Sequence, residues 1–176
     1  MAENARLNRA YLALGSNIEP ELNLPAAVRE LARYGRVVSV SGVWESPPLG
    51  FADQPDFLNA ALLLETPLSV RELKETVIAA IETSLGRVRT DNRNAPRTLD
   101  IDIMLFNDDI LQFGRHVIPD PEVTQRPFVV IPLAEIAPDY RHPVTGETLA
   151  EIASRFDPAL TGMRRRDDLV LAVPLS

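Results

Sequence analysis

Apolar residues along this 176-residue chain come in short runs whose period switches between two and about 3.6. Ala10 to Leu14 (AYLAL) reads as a short buried strand, ended by Gly15-Ser16-Asn17. From about Leu24 the spacing turns helical. Leu24, Ala27, Val28 and Leu31 form one stripe, Asn23 can cap it, Pro25 suits its first turn and Gly35 ends it. Val37 to Trp44 alternates as a strand does, and the loop SPPLGFADQPD, with three prolines and a glycine, interrupts the pattern. Phe57 to Glu65 (FLNAALLLE) is the next strand. Ser69 and Glu72 then have the spacing of a capping box, and Val70, Leu73, Val77, Ile81 and Leu85 recur at helical intervals until Gly86. The loop RVRTDNRNAPR leads into the strand TLDIDIMLF, with Asn107-Asp108-Asp109 as a turn into ILQF.

That order is β-α-β-β-α-β, the split βαβ or ferredoxin-like arrangement: an α+β fold with helices on one face of an antiparallel sheet. C-terminal additions follow. RPFVVIPLAEIAP (126–138) predicts a short buried helix, and Thr148 with Glu151 makes a second capping box before Leu149, Ile152, Ala153 and Phe156. The tail DDLVLAVPLS suits a late edge strand, while Arg164-Arg165-Arg166 reads as a solvated charge run. Hydrophobic content of 45%, spread along the whole length, predicts one domain over 1–176, with a flexible segment at 1–8 and an extension at 157–176.

Composition narrows the classes. The chain has no cysteine, which excludes disulfide staples, cysteine-ligated zinc and thiol catalysis. No apolar run approaches the roughly 20 residues of a membrane span. The opening MAENARLNRA lacks the apolar core of a signal peptide, so the expectation is a soluble cytoplasmic protein. A formal charge of −7 argues against a general nucleic-acid binder.

Two local features stand against that background. Strand periodicity puts Asp100 and Asp102 on one face, about 6–7 Å apart, with Leu99, Ile101 and Ile103 on the other and Met104 and Phe106 continuing the aspartate side. The pattern leaves two readings, a solvent face or a site for a hard divalent cation taking carboxylate and phosphate oxygens. Just upstream, Arg87, Arg89, Arg93 and Arg97 stand against a single Asp91, and arginine forks suit phosphate oxygens. Together they suggest a polyphosphate carried with Mg²⁺. Neither GxxxxGK[ST] nor GxGxxG is present. The positions of His116 and His142 suggest neither a histidine metal site nor a triad.

In these motifs the chain resembles the 6-hydroxymethyl-7,8-dihydropterin pyrophosphokinases of folate biosynthesis. The matching segments are YLALGSN (11–17), ESPPLGFADQPDFLNAAL (45–62), LGRVR (85–89), PRTLDIDIMLF (96–106) and RPFVVIPLAEIAP (126–138). The resemblance implies a ferredoxin-like fold and an ATP-dependent diphosphotransferase. Such an enzyme passes pyrophosphate to the hydroxymethyl oxygen of a reduced pterin and releases AMP. It further implies two Mg²⁺ ions held by Asp100 and Asp102, and Arg87 and Arg97 as catalytic arginines of a mobile loop. Glu82, Arg89, Arg115 and Arg126 would then lie on the ATP side. Ser46, Pro47 and Leu49 would wall the pterin, Asn59 would bond its edge, and Phe57 and Phe128 would sandwich its ring. ATP and the pterin are the implied partners of a monomer, with no nucleic acid or membrane involved. The alternative is a diverged paralogue that binds a pterin or nucleotide with altered or lost transfer. An RNA-binding module of similar fold would need a basic face and an aromatic signature that the chain lacks.

Several positions depart from the family pattern. Ala79 stands where a glutamine is frequent, Asp120 where a histidine commonly contacts phosphate, Asn94-Ala95 in place of Trp-Gly, and Val117 in place of threonine. The added negative charge at Asp120 leads to an expectation of weaker ATP binding, or of a shifted phosphate donor or pterin.

Overall fold

A computed structural model describes residues 6–50, 53–88 and 95–175. Its elements run β1 (Asn8–Ser16), α1 (Pro20–Leu31), β2 (Arg36–Val40), β3 (Trp44–Ser46), β4 (Phe57–Thr66), α2 (Val70–Glu72), a π-helical stretch (Leu73–Ile78) and α3 (Ala79–Ser84). Then follow β5 (Asp100–Phe106), β6 (Leu111–Phe113), β7 (His116–Ile118), α4 (Glu122–Gln125), α5 (Pro127–Ile136), α6 (Leu149–Ala153), α7 (Pro158–Thr161) and β8 (Arg164–Arg165). The main sheet is antiparallel in the order β5-β1-β4-β3-β8, with β2 sharing the edge of β4 beside β3. This is the expected βαββαβ core.

The sheet is covered on both faces. Leu12, Leu62, Ile101 and Ile103 pack with Leu24 and Leu31 of α1 and with Leu73 and Ile81 of the second helical rod. On the opposite face, Tyr11, Leu63 and Leu105 meet Val130 and Leu133 of α5 and Leu149 and Ile152 of α6. The one-sided helical layer predicted for the core therefore gains a second layer from the C-terminal additions. Double coverage explains why FLNAALLLE is apolar nearly throughout instead of alternating. Each fully buried leucine contributes about 1.5–3 kcal/mol.

Four local differences have physical causes. Helix α1 starts at Pro20, not near Leu24, because Pro20 presets the first-turn φ; Asn23 lies inside the helix and its amide donates to Ile18 O at 2.6 Å. The strand predicted over 37–44 breaks at Ser41, whose N–H donates to Ala61 O (2.9 Å) while its hydroxyl accepts from Ala61 N (2.8 Å). In β5, Leu12 pairs with Ile103 and Tyr11 with Leu105, so Met104 is an extra, bulged residue. That bulge turns Phe106 to the α1 face and Leu105 to the aspartate side, reversing the expectation for Phe106.

The fourth concerns the C-terminus. The edge strand is Arg164–Arg165, not the DDLVLAVPLS tail. Arg164 pairs with Glu45. The Arg165 guanidinium lies 5.8 Å from the Trp44 ring centroid and 3.3 Å from Glu135, and Arg166 meets Asp168 at 2.7 Å. Gly42 makes this possible, since a Cβ there would lie 2.6 Å from Arg165 Nη2. The triple arginine is thus a paired strap along the sheet edge and not a loop, although Arg164 and Arg165 remain exposed to solvent as expected, and Leu171 beyond it enters the core.

A buried histidine closes the turn before α6. His142 Nδ1 accepts the N–H groups of Val144 and Thr145, each at 3.2 Å, and burial holds the ring below the usual histidine range. A histidine with a lowered folded-state pKa contributes stability that is full above its unfolded value, near 6.5, and is lost as pH falls through that value toward the folded one. The expected outcome is that the melting temperature of His142→Asn drops less than that of wild type between about pH 7 and about pH 5. Equal drops would show that His142 does not carry this dependence.

Candidate active site

One row of register partners, Asp100–Gly15–Asn59–Trp44, crosses the sheet at the floor of a cavity of about 950 Å³. Neighbours across a sheet share a face, so Asp100 and Asn59 both point into the cavity. Gly15 stands between them without a side chain. A Cβ there would lie 3.5 Å from Asn59 Oδ1, and anything larger would divide the floor. The cavity brings together Ser46, Pro47, Leu49, Phe57, Asn59, Arg87, Arg97, Asp100, Asp102, Arg126 and Phe128, which the sequence scatters over more than eighty positions.

The apolar side is held by backbone and amide geometry. Buried Asn59 donates from Nδ2 to the buried Ser46 hydroxyl at 2.7 Å and to Trp44 O at 3.3 Å. Leu49 is exposed at the rim, and Phe57 and Phe128 are half-buried lining residues. The Arg97 guanidinium sits 5.6 Å from the Phe57 ring centroid, which ties the apolar side to the charged side.

The charged side is a network of ion pairs. Asp100 takes Arg87 on Oδ1 (2.9 Å) and Arg97 on Oδ2 (3.0 Å). Asp102 takes Lys74 on Oδ1 (3.0 Å). Burial works against the charge of Asp100, but Arg87, Arg97 and Lys74 outweigh it and hold the carboxyl below its ordinary range. Burial and the neighbouring Asp100 push Asp102 up to about 7, against the opposing pull of Lys74. Both carboxylates keep solvent access, at 25% and 40% of their side-chain surface. The donors on offer are oxygens only, two carboxylates on one strand face. That set suits a hard divalent cation that completes its shell with water and phosphate oxygens. Among the described residues no group of three or more His, Cys, Asp or Glu is placed to hold a metal ion by itself, so the set does not suit a closed structural site.

Not every expected residue lines the cavity. Glu82 is only 2% exposed and is not among the lining residues; it accepts Ile101 N–H (3.0 Å) and Arg87 Nη1 (2.5 Å), and its carboxylate positions Arg87 and β5. Arg115 is exposed in the turn between β6 and β7, outside the lining. Arg89 and Asn94 fall outside the described residues. Ala79 and Ala95 line the cavity, and Val117 lies on a small recess beside it. Asp120 also faces the cavity, yet its Oδ1 accepts Glu122 N–H at 2.9 Å, and its own N–H donates to the bulged Met104 O at 2.9 Å. Burial raises its pKa against that hydrogen bond and the nearby Lys74 and His116.

Sequence reasoning missed Lys74, His116 and Glu122 as lining residues and Asn17 as a latch. Asn17 donates to Gln54 Oε1 (2.8 Å) and Pro55 O (3.0 Å), accepts Arg97 N–H on Oδ1 (2.9 Å), and donates its own N–H to Arg97 O (3.1 Å). It fixes the backbone of Arg97 and the loop ahead of Phe57 at once. Its place in the YLALGSN motif was the only hint in the sequence.

Comparison with known proteins gives the family. The family model described as 7,8-dihydro-6-hydroxymethylpterin-pyrophosphokinase (HPPK) matches residues 11–138. A 2-amino-4-hydroxy-6-hydroxymethyldihydropteridine pyrophosphokinase of Methylorubrum extorquens is 43% identical over 156 residues, covering 87% of this chain and 96% of the relative. One from Pseudomonas aeruginosa is 44% identical over 149 residues, covering 83% and 90%. Among solved structures, the wild-type HPPK-DHPS of Plasmodium falciparum superposes with a TM-score of 0.70 at 16% identity, over 88% of this chain and 45% of that one, which speaks for the fold alone.

Asn17→Ala removes three side-chain hydrogen bonds and leaves Pro55 O and Arg97 N–H without them. The expected result is a stability loss of about 1–3 kcal/mol together with weaker binding at both ends of the cavity. Denaturant unfolding and ligand titration check it, and a variant unchanged in both would remove the latch role.

Proposed function

The chain belongs to the 7,8-dihydro-6-hydroxymethylpterin-pyrophosphokinase family, and on that basis we infer that it transfers pyrophosphate from ATP to 6-hydroxymethyl-7,8-dihydropterin in folate synthesis. The observation that carries the assignment to particular residues is the shared floor, with the Asp100–Asp102 pair and its arginines on one side of Gly15 and Asn59 on the other. The pterin ring lies between Phe57 and Phe128, with Asn59 and the Ser46–Leu49 wall at its edge. The ATP phosphates lie over Asp100 and Asp102, flanked by Arg87, Arg97 and Arg126.

In the reaction the hydroxymethyl oxygen forms a bond to the β-phosphorus. The bond from that phosphorus to the α–β bridging oxygen breaks, AMP leaves with the electron pair, and the hydroxyl proton is released. Two Mg²⁺ ions, held by Asp100 and Asp102, supply neutralisation of the triphosphate charge when bound. The chain's own contribution is positioning and electrostatics. Arg87 and Arg97 hold the Asp100 carboxylate in place, then offer their forks to phosphate oxygens as ion-pair partners exchange. Arg97, stacked on Phe57, links occupation of the pterin slot to the phosphate side. No strong base is needed, since phosphoryl transfer of this kind rests on alignment and charge.

The test is to mix the protein with ATP, Mg²⁺ and 6-hydroxymethyl-7,8-dihydropterin and follow the nucleotide product. AMP is expected; ADP, or no product, would overturn the reading. Asp100→Ala and Asp102→Ala are each expected to lower turnover by at least about 100-fold, in the range of losing one preorganised transition-state contact, with the fold retained by circular dichroism. Asp120→His is expected to tighten ATP binding by removing a carboxylate from the phosphate side, and an unchanged dissociation constant would refute that role for Asp120.

A further inference from the structure

The chain has 18 basic residues, and only one of them, Lys74, is a lysine. It lies in the π-helical stretch of the second rod, whose wider turn inserts one residue into the helical repeat; such insertions recur at functional sites. Leu73 and Val77 on either side stay buried in the core, so the widened turn delivers Lys74 to the cavity without breaking the apolar stripe. The side chain is 14% exposed. Its ammonium is held 3.0 Å from Asp102 Oδ1 and 3.0 Å from Ile101 O.

The surroundings define what this ammonium faces. Asp100 and Asp102 of β5 lie on one side. His116 of β7 and Asp120 lie on another, in a recess of about 20 Å³ that opens beside Asp102. Glu75 and Glu122 line the cavity beyond. Arg87 and Arg97 are committed to Asp100 on the opposite flank. Among the described residues Lys74 is therefore the only Lys or Arg lining this recess, where carboxylates would otherwise repel an anion. An ammonium has three N–H donors. Asp102 and Ile101 take two, and among the described residues no further partner uses the third.

We propose that Lys74 is a phosphate-gripping residue of the donor site: its ammonium, fixed in advance on Asp102 and the Ile101 carbonyl, binds the β- or γ-phosphate oxygens of the nucleoside triphosphate on the flank opposite Arg87 and Arg97. This rests on the diphosphokinase reading of the cavity and adds a residue to it. The chemistry favours lysine here. A compact point charge with rotatable donors can keep one bond to Asp102 while another turns to a ligand, which a planar arginine fork of the same charge does less well in so narrow a recess. Holding the ammonium before the ligand arrives removes the entropic cost of ordering a long side chain on binding.

The experiment uses the full chain with Mg²⁺ and compares wild type, Lys74→Met and Lys74→Arg. Calorimetry measures binding of α,β-methylene-ATP, which is not transferred, with AMP as a probe that lacks the β- and γ-phosphates and the pterin as a probe of the other slot. The expected result is at least about a tenfold weaker dissociation constant for α,β-methylene-ATP in Lys74→Met, as for loss of a charge-assisted hydrogen bond. AMP and pterin binding stay within about twofold, and Lys74→Arg recovers part of the loss. Unchanged or tighter binding of α,β-methylene-ATP in Lys74→Met would overturn the proposal, the second result meaning that Lys74 only competes for Asp102. An equal loss for AMP or pterin would also overturn it, as general damage to the site. Wild-type AMP production, run in parallel, separates failure of this residue's role from failure of the functional reading.

Discussion

The site depends on the compensation of two like charges. Asp100 and Asp102 lie two residues apart on one strand face, and carboxylates about 6–7 Å apart repel by about 2–3 kcal/mol at an effective dielectric near 20. The strand tolerates this because Arg87 and Arg97 converge on Asp100 and Lys74 on Asp102. Beneath them Glu82 is itself almost completely buried, and its charge stands on Arg87 and the Ile101 N–H. Removing the partner of such a buried charge costs about 3–5 kcal/mol. Arg87 therefore has two duties, one toward the fold and one toward the cavity. The carboxylate that fixes it from below is part of the scaffold even though it never reaches the cavity.

Local irregularities, and not the regular elements, place the chemistry. The Met104 bulge ends the alternation that kept Asp100 and Asp102 on one face, and its carbonyl catches Asp120 N–H, which draws the segment after β7 to the cavity. The π-helical turn does the same for Lys74 from the other side. Ser41 breaks the β2–β3 run so that one strand segment supports the core and the next, Trp44–Ser46, walls the apolar slot. Each defect costs regular hydrogen bonding, and each sits where a side chain must be re-aimed.

This pattern also explains what the sequence could disclose. Strand and helix periods report burial, so the βαββαβ order was legible, as were the capping box at Ser69 and the N-cap, though not a full capping box, at Thr148. The shared face of Asp100 and Asp102 follows from a period of two and needs no tertiary information. Phe106 was misassigned because a single inserted residue reverses every later position. Lys74 was invisible because its π-turn leaves the apolar stripe of Leu73, Val77 and Ile81 intact. The support that Glu82 gives Arg87 and the Ile101 N–H was not legible, because a motif records that a residue is required and not what it touches. The triple arginine carried too little local pattern to show that Trp44, Glu45 and Glu135 would receive it.

The two ends of the cavity are built by different physics. At the apolar end, Asn59, Ser46 and Trp44 are locked by hydrogen bonds between adjacent strands, β8 adds a further strand against Trp44 and Glu45, and Pro47 packs on Gly162, where a Cβ would come within 3.3 Å of the ring. A flat heterocycle needs such a slot held at fixed width, because stacking falls off quickly with separation. At the charged end the groups are held by ion pairs that a cation or a phosphate can take over one at a time. Such pairs keep the anionic floor compensated and exchange partners without unmaking the fold. Gly15 is the seam: a strand residue small enough that the rigid slot and the exchangeable charges share one floor.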